Sequence, residues 1–173
     1  MRTFSIIVAV DEAMGIGKDG ALPWRLPGDM RRLREMTVGA GGNAVIMGRK
    51  TWESIPARFQ PLPDRLNVVV SRRGVADLPA GVHQSTGFDV GLQWIAEQNV
   101  NDVFVLGGRS VYDEALQHPG CARAYVTEVV GTYDCDVALS PLPKRFARGE
   151  PGPVQSENGI EYRFVVYENS SLV

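Results

Sequence analysis

Phe4-Ser5-Ile6-Ile7-Val8-Ala9-Val10 is apolar at every position except Ser5. A strand with one wet face alternates polar and apolar side chains. This run does not, so it reads as a strand covered on both faces, as in a parallel sheet between helices. Ala44-Val45-Ile46-Met47, Leu66 to Val70 and Val103 to Leu106 read the same way. Helical patterns lie between them. Pro27 to Thr37 opens with proline and stops before Gly39. Phe88, Leu92, Ile95 and Ala96 recur at helical spacing, as do Val111, Tyr112, Ala115 and Leu116 before the stop at His118-Pro119-Gly120. This alternation predicts an α/β fold with a largely parallel sheet. Ala122 to Val130 and Tyr162 to Tyr167 are longer and β-branched, and read as antiparallel strands closing one edge.

The 173 residues make one domain, without repeat or linker. With 44% apolar and 22% charged residues the chain has the balance of a globular protein. A formal net charge of -2 excludes a broad basic face for duplex nucleic acid, but leaves room for a local patch that grips a small anion. No apolar run approaches the ~20 residues that cross a bilayer, and no signal peptide is expected. Cys121 and Cys135 form no CxxC pair, and His83 and His118 stand apart from any carboxylate cluster. The expectation is a soluble, cytoplasmic domain without a metal, a membrane contact or a nucleic-acid partner.

Gly15-Ile16-Gly17-Lys18-Asp19-Gly20 is a literal G-x-G-x-x-G after a strand. The dinucleotide fingerprint must open a helix, whose N-terminus meets the phosphate. Here Pro23 and Pro27 follow, and proline disfavours helix in the residues before it. The segment reads as a flexible glycine-rich loop, or as a mobile lid hinged on glycines and carrying Trp24.

Placing Asp29 at zero on a helical wheel puts Leu33 near ~40°, Thr37 near ~80°, Met30 near ~100° and Met36 near ~340°. Arg31, Arg34 and Glu35 fall opposite, between ~140° and ~240°, and Arg32 flanks the apolar arc near ~300°. Asp29 therefore lies within the apolar arc, where a lone carboxylate is costly unless something meets it. Two readings stand: a functional acid, or an Asp welcomed by the first turn's dipole and free N–H groups.

Three strands end in residues suited to phosphate. The first runs into Gly48-Arg49-Lys50-Thr51, with a short helix Trp52-Glu53-Ser54-Ile55 following. The second runs into Ser71-Arg72-Arg73, and the third into Gly107-Gly108 with a helix from Arg109. In open α/β sheets ligands bind beyond the carboxyl ends of strands, and glycine lets backbone N–H groups approach a pyrophosphate. Each turn alone is also consistent with solvated surface cations. Together they fit a 2′-phosphorylated dinucleotide, whose monoester suits Arg.

Over nearly its whole length the chain resembles dihydrofolate reductase. The resemblance is carried by Ile7-Val8-Ala9-Val10, Gly15-Ile16-Gly17, Leu22-Pro23-Trp24 with Leu26-Pro27-Gly28-Asp29, and Val45 to Ile55. Pro61-Leu62-Pro63 with Arg65-Leu66-Asn67, Leu106-Gly107-Gly108 with Val111-Tyr112, and Gly159-Ile160-Glu161-Tyr162 continue it in order. It implies one domain over residues 1–173: a mostly parallel mixed sheet of about eight strands, an antiparallel C-terminal strand and about four flanking helices. It further implies NADPH-dependent reduction of 7,8-dihydrofolate to tetrahydrofolate for one-carbon metabolism, by hydride transfer to C6 and protonation at N5. The implied protein is a monomer and an antifolate target.

By the same resemblance Asp29 is the single active-site carboxylate, aided by Thr127, with Leu22 and Trp24 in the lid. Ile7, Val8, Ala9, Met30, Leu33, Ile55, Leu62, Leu106 and Tyr112 line the substrate pocket, and Arg65 pairs with the α-carboxylate of the glutamate tail. Ala9, Ile16, Gly17, Gly48, Arg49, Lys50, Thr51, Ser71, Arg72 and Arg73 bind cofactor. So do Leu106, Gly107, Gly108, Arg109, Ser110, Val111 and Tyr112. A cis peptide between Gly107 and Gly108 is implied too.

The family often has Phe where Leu33 and Met30 stand, which implies weaker benzoyl stacking. It also often reads Asp-Thr-x-Phe-Pro where this chain has Asp136-Val137-Ala138-Leu139-Ser140-Pro141, so a lid latch could differ. No thymidylate synthase segment is expected. On the residues alone, Trp24 and Tyr112 also read as packing, Arg65 as a solvated turn residue and Thr127 as a strand former. Two rival functions remain: an NADPH-dependent reductase of a deaminated pyrimidine, and a non-catalytic NADPH or folate binder.

Overall fold

The computed structural model describes residues 2–172. In chain order the elements are β1 (Phe4–Val10), β2 (Gly15–Gly17), α1 (Pro27–Val38), β3 (Asn43–Gly48), α2 (Arg49–Ser54), β4 (Arg65–Val70), β5 (Val82–Ser85) and α3 (Phe88–Ala96). They continue with β6 (Val103–Val105), α4 (Arg109–Gln117), β7 (Cys121–Val129), β8 (Val137–Ala138), β9 (Phe146–Arg148), β10 (Gln155–Glu157) and β11 (Ile160–Asn169).

Nine strands form the main sheet in the order β10-β11-β7-β1-β6-β3-β4-β5, with β9 also on β11. From β7 through β1 to β5 every pairing is parallel. The C-terminal β11 runs antiparallel to β7 and carries β9 and β10. One expectation is corrected here. Only the second of the two long late strands is antiparallel to the sheet; β7 runs parallel to β1. The reason is the connection, since β7 follows β6 through helix α4, and a helical crossover returns the chain in the same direction.

The opening run is explained by the two layers it meets. Ile6, Val8, Ile46, Val68 and Val105 pack toward Phe88, Ile95, Val111 and Leu116 on one face. Ile7, Val45, Met47, Val69 and Phe104 pack on the other, toward Trp52, Leu33 and Met36. Each strand therefore needs apolar residues at odd and even positions alike. Among the described residues no helix is long and apolar enough to cross a membrane.

The glycine-rich segment forms no helix. Gly15 and Gly17 pair with Ala138 and Val137 in a separate two-stranded sheet, and Lys18 bridges to Ala21. The segment around Asp136, despite its altered sequence, is hydrogen-bonded to the glycine-rich segment. The Asp19 N–H donates to Asp136 Oδ2 at 2.9 Å, and the Asp136 N–H to the Gly17 carbonyl at 3.0 Å.

Candidate active site

Helix α1 carries Asp29 to the sheet as the wheel requires. Pro27 fits the first turn because its missing N–H needs no partner there. Gly39, at φ 52°, ends the helix. Thr37 is buried, Leu33 and Met36 are partly covered, and Arg31, Arg34 and Glu35 face water. The carboxylate of Asp29 meets one hydrogen-bond donor: the Thr127 hydroxyl donates to Asp29 Oδ1 at 2.6 Å. Thr127 is 2% exposed and sits on β7 opposite Ala9 of β1. Burial pushes the Asp29 carboxyl above the usual carboxylate range, and Glu157 adds to the push, while the Thr127 bond and the Arg32 guanidinium work against it.

Asp29 borders a cavity of about 1250 Å³ along the carboxyl ends of the parallel strands. Its wall includes Ile7, Val8, Ala9, Leu22, Met30, Leu33, Ile55, Leu62, Leu106, Tyr112 and Thr127. Toward the other end it includes Ile16, Gly17, Gly48, Arg49, Lys50, Thr51, Ser71, Arg72, Arg73, Gly108, Arg109, Ser110 and Val111. Met30 and Leu22 are 50% and 48% exposed, so both lie at an open mouth. Tyr112 serves core and cavity together: it is buried, and its hydroxyl donates to the Ile7 carbonyl at 2.6 Å.

Three expected site residues do not line this cavity. Trp24 is buried edge-on against Tyr133, at 5.4 Å between ring centroids, within a small cluster that includes Leu26, Val129 and Tyr162. An indole beside apolar neighbours is better packed than wetted. The Arg65 guanidinium is turned back onto its own fold, donating to Thr37 Oγ1 at 2.7 Å and to the Pro63 carbonyl at 2.9 Å. Gly107 lies behind the wall: its carbonyl accepts the Gly48 N–H at 2.7 Å, and a Cβ on it would come within 2.9 Å of the Tyr112 ring. The Gly107–Gly108 peptide is cis, as the resemblance implied.

The cavity's far end fits a ligand with several phosphates. Helices α2, α3 and α4 have Gly48, Gly87 and Gly108 at their N-cap positions, and none has a side-chain cap. All three glycines line the cavity, so first-turn N–H groups are left for an anion beside Arg49, Lys50, Arg72 and Arg73. Helix α2 starts at Arg49, so the expected Trp52 start falls short by three positions. The third uncapped terminus, with Thr86 and Gly87, was missed. Ser85-Thr86-Gly87 before the Phe88 helix is the same strand-end signal, but Val82–Ser85 is only half covered and does not read as a buried strand.

The fold and this cavity define the class: an α/β domain in which one partly buried acid shares a cavity with a cradle of helix termini and cations suited to phosphate. Comparison makes the class particular. The family model for dihydrofolate reductase matches residues 3–169. The dihydrofolate reductase of Drosophila melanogaster is 37% identical over 182 residues, covering 99% of this chain and 100% of that one. A bifunctional dihydrofolate reductase-thymidylate synthase of Daucus carota is 41% identical over 177 residues, and the match spans 96% of this chain but 34% of that longer relative. The solved Schistosoma mansoni dihydrofolate reductase superposes with a TM-score of 0.86 at 33% identity, covering 97% of this chain and 98% of that one. The chain belongs to the dihydrofolate reductase family.

Proposed function

We propose that the chain reduces 7,8-dihydrofolate to 5,6,7,8-tetrahydrofolate with NADPH, supplying one-carbon metabolism, by hydride transfer to C6 and protonation at N5. The observation that carries this reading is one partly buried acid, with a single hydrogen-bond donor, on a cavity that continues into a cradle of uncapped helix termini and cations. When bound, the nicotinamide supplies the hydride. Every other task falls to this chain.

Ile7, Val8, Met30, Leu33, Ile55 and Leu62 offer an apolar slot for a flat ring, which aligns it and keeps bulk water away. Asp29 binds the ring's amide and amino groups and, through a water, supplies the proton for N5. Its raised affinity for a proton suits that task near neutral pH. Thr127 fixes the carboxylate's orientation. Gly48, Gly108, Arg49, Lys50 and Thr51 would hold the pyrophosphate, with Ser71, Arg72 and Arg73 at the outlying 2′-phosphate. With Nε on Pro63 and Nη1 on Thr37, Arg65 keeps its Nη2 donors for a substrate carboxylate, and Trp24 would act from behind the wall on the lid.

The reading extends to an antifolate-binding monomer in the cytoplasm. Its two cysteines are free thiols, the state a reducing compartment maintains. Loss of 340 nm absorbance with dihydrofolate tests the reaction against the deaminated-pyrimidine rival, and binding of both ligands without turnover would instead leave a binder. Arg72→Ala separates the cofactors: NADPH affinity falls roughly tenfold or more while NADH affinity changes little. An equal fall for both removes Arg72 from the 2′-phosphate.

A further inference from the structure

Helix α1 begins without a cap of its own. Leu26 at the N-cap position has no side-chain oxygen, and Pro27 has no N–H. The N–H of Gly28 is met instead from 129 residues away, donating to Glu157 Oε2 at 2.8 Å and to Oε1 at 3.1 Å. The Tyr162 hydroxyl donates to the same Oε2 at 2.9 Å. Gly28 makes this approach possible: a Cβ there would stand 2.7 Å from the Tyr162 hydroxyl and 2.8 Å from Glu157 Oε1. Asn158 and Gly159, at φ 51° and 73°, turn β10 back into β11. The Asn158 amide then donates to the Arg25 carbonyl at 3.0 Å. The hairpin tip thus grips the entry to α1 at Arg25 and at Gly28, and Gly28 immediately precedes Asp29.

We propose that Glu157 is a positioning residue for the reduction: held on the Gly28 N–H and the Tyr162 hydroxyl, it anchors the turn that presents Asp29 and places a second carboxylate at the residue next to the reacting acid. This rests on the functional reading above, in which Asp29 is that acid. Groups from every packed element face the pair. Arg32 lies on α1, its guanidinium 3.9 Å over the Phe164 ring; Tyr112 lies on α4, Thr127 on β7 and Tyr162 on β11, with Arg31 near Tyr162. Burial is the largest influence on Asp29, followed by the Thr127 bond and Arg32, which oppose it; Glu157, the smallest of the four, is the one group that joins burial in favouring the protonated form. Arg32 is itself half-buried, so its influence is only partly screened.

Glu157→Gln separates the two tasks, because an amide oxygen still accepts the Gly28 N–H while the charge is gone. The titration midpoint of Asp29, read by carboxyl ¹³C NMR on the ligand-free protein, moves to lower pH. The hydride-transfer rate above that midpoint falls roughly twofold or more. Arg32→Met, which keeps a chain on Phe164, moves the midpoint the other way. Glu157→Ala also loses the anchor and lowers Tm by roughly 2–4 °C. An unmoved midpoint in Glu157→Gln, even with a lower Tm in Glu157→Ala, overturns the proposal and leaves a helix cap only. The NMR midpoint needs no substrate, so absence of dihydrofolate turnover in the parent rejects the functional reading separately.

Discussion

Asp11 and Asp29 are two aspartates beside the same central strands, and the fold treats them in opposite ways. Asp11 follows β1 directly and is 3% exposed. Its Oδ1 accepts the N–H groups of Ala13 at 2.9 Å and Gly15 at 2.7 Å, and its Oδ2 accepts that of Tyr133 at 3.0 Å and faces the Cys135 thiol at 3.7 Å. Burial pushes its carboxyl up, but these donors outweigh it and hold it below the usual carboxylate range. Asp29 has one donor, Thr127, and burial wins. Asp11 thus ties the start of the glycine-rich segment to the segment around Tyr133, with its carboxyl biased toward the charged form, whereas the Asp29 carboxyl is biased toward the protonated form. The difference lies in the count of donors set against burial: three N–H groups and a thiol meet Asp11, whereas a single hydroxyl meets Asp29.

The strongest way to break this contrast is through rate. Asp29→Asn should slow hydride transfer at pH 7 by roughly 10²–10⁴, the usual worth of an acid–base group, measured in single turnovers. An unchanged rate would make Asp29 no more reactive than Asp11. Next comes stability. Asp11→Ala strands buried N–H groups and should cost about 3 kcal/mol in urea unfolding. A loss below about 0.5 kcal/mol, within the range of ordinary surface substitutions, would show that the tie is idle.

The smallest effect sharpens the sign. Asp29 holds a proton more tightly folded than unfolded, so its contribution to stability falls as pH rises from the ordinary carboxylate range through its raised midpoint. Asp29→Asn escapes that fall and should have a slightly higher Tm than the parent at neutral pH, with the gain gone in acid. Asp11 runs the other way. Its lowered value contributes stability above the ordinary range, which is lost as pH falls through the folded midpoint. A parent-like neutral Tm in Asp29→Asn would mean that the acid is not strained by burial.

Much of this was legible in the sequence because period and punctuation carry it. Phe4–Val10 betrays a two-sided core, and the wheel places Asp29 among Leu33, Met36 and Thr37. The glycine-rich turns after β3 and β6 announce helix termini open to a ligand. What could not be read depends on long-range pairing. Nothing local says that Cys121–Val129 runs parallel to β1, or that Glu157 reaches Gly28. Trp24 and Arg65 keep the side-chain chemistry expected of ligand contacts, but their directions are set by Tyr133 and Thr37, which lie elsewhere in the chain. The three-residue and shorter strands β2, β8, β9 and β10 are too brief for a period to show.

The place of β1 has a consequence for synthesis. This strand is an inner one, flanked by β6 and β7, whose paired residues begin at Phe104 and Cys121. During synthesis this apolar segment therefore waits for both neighbours until about a hundred further residues have followed it. Closing those long loops comes late and slowly, and until then the strand is a target for chaperones or for its own copies.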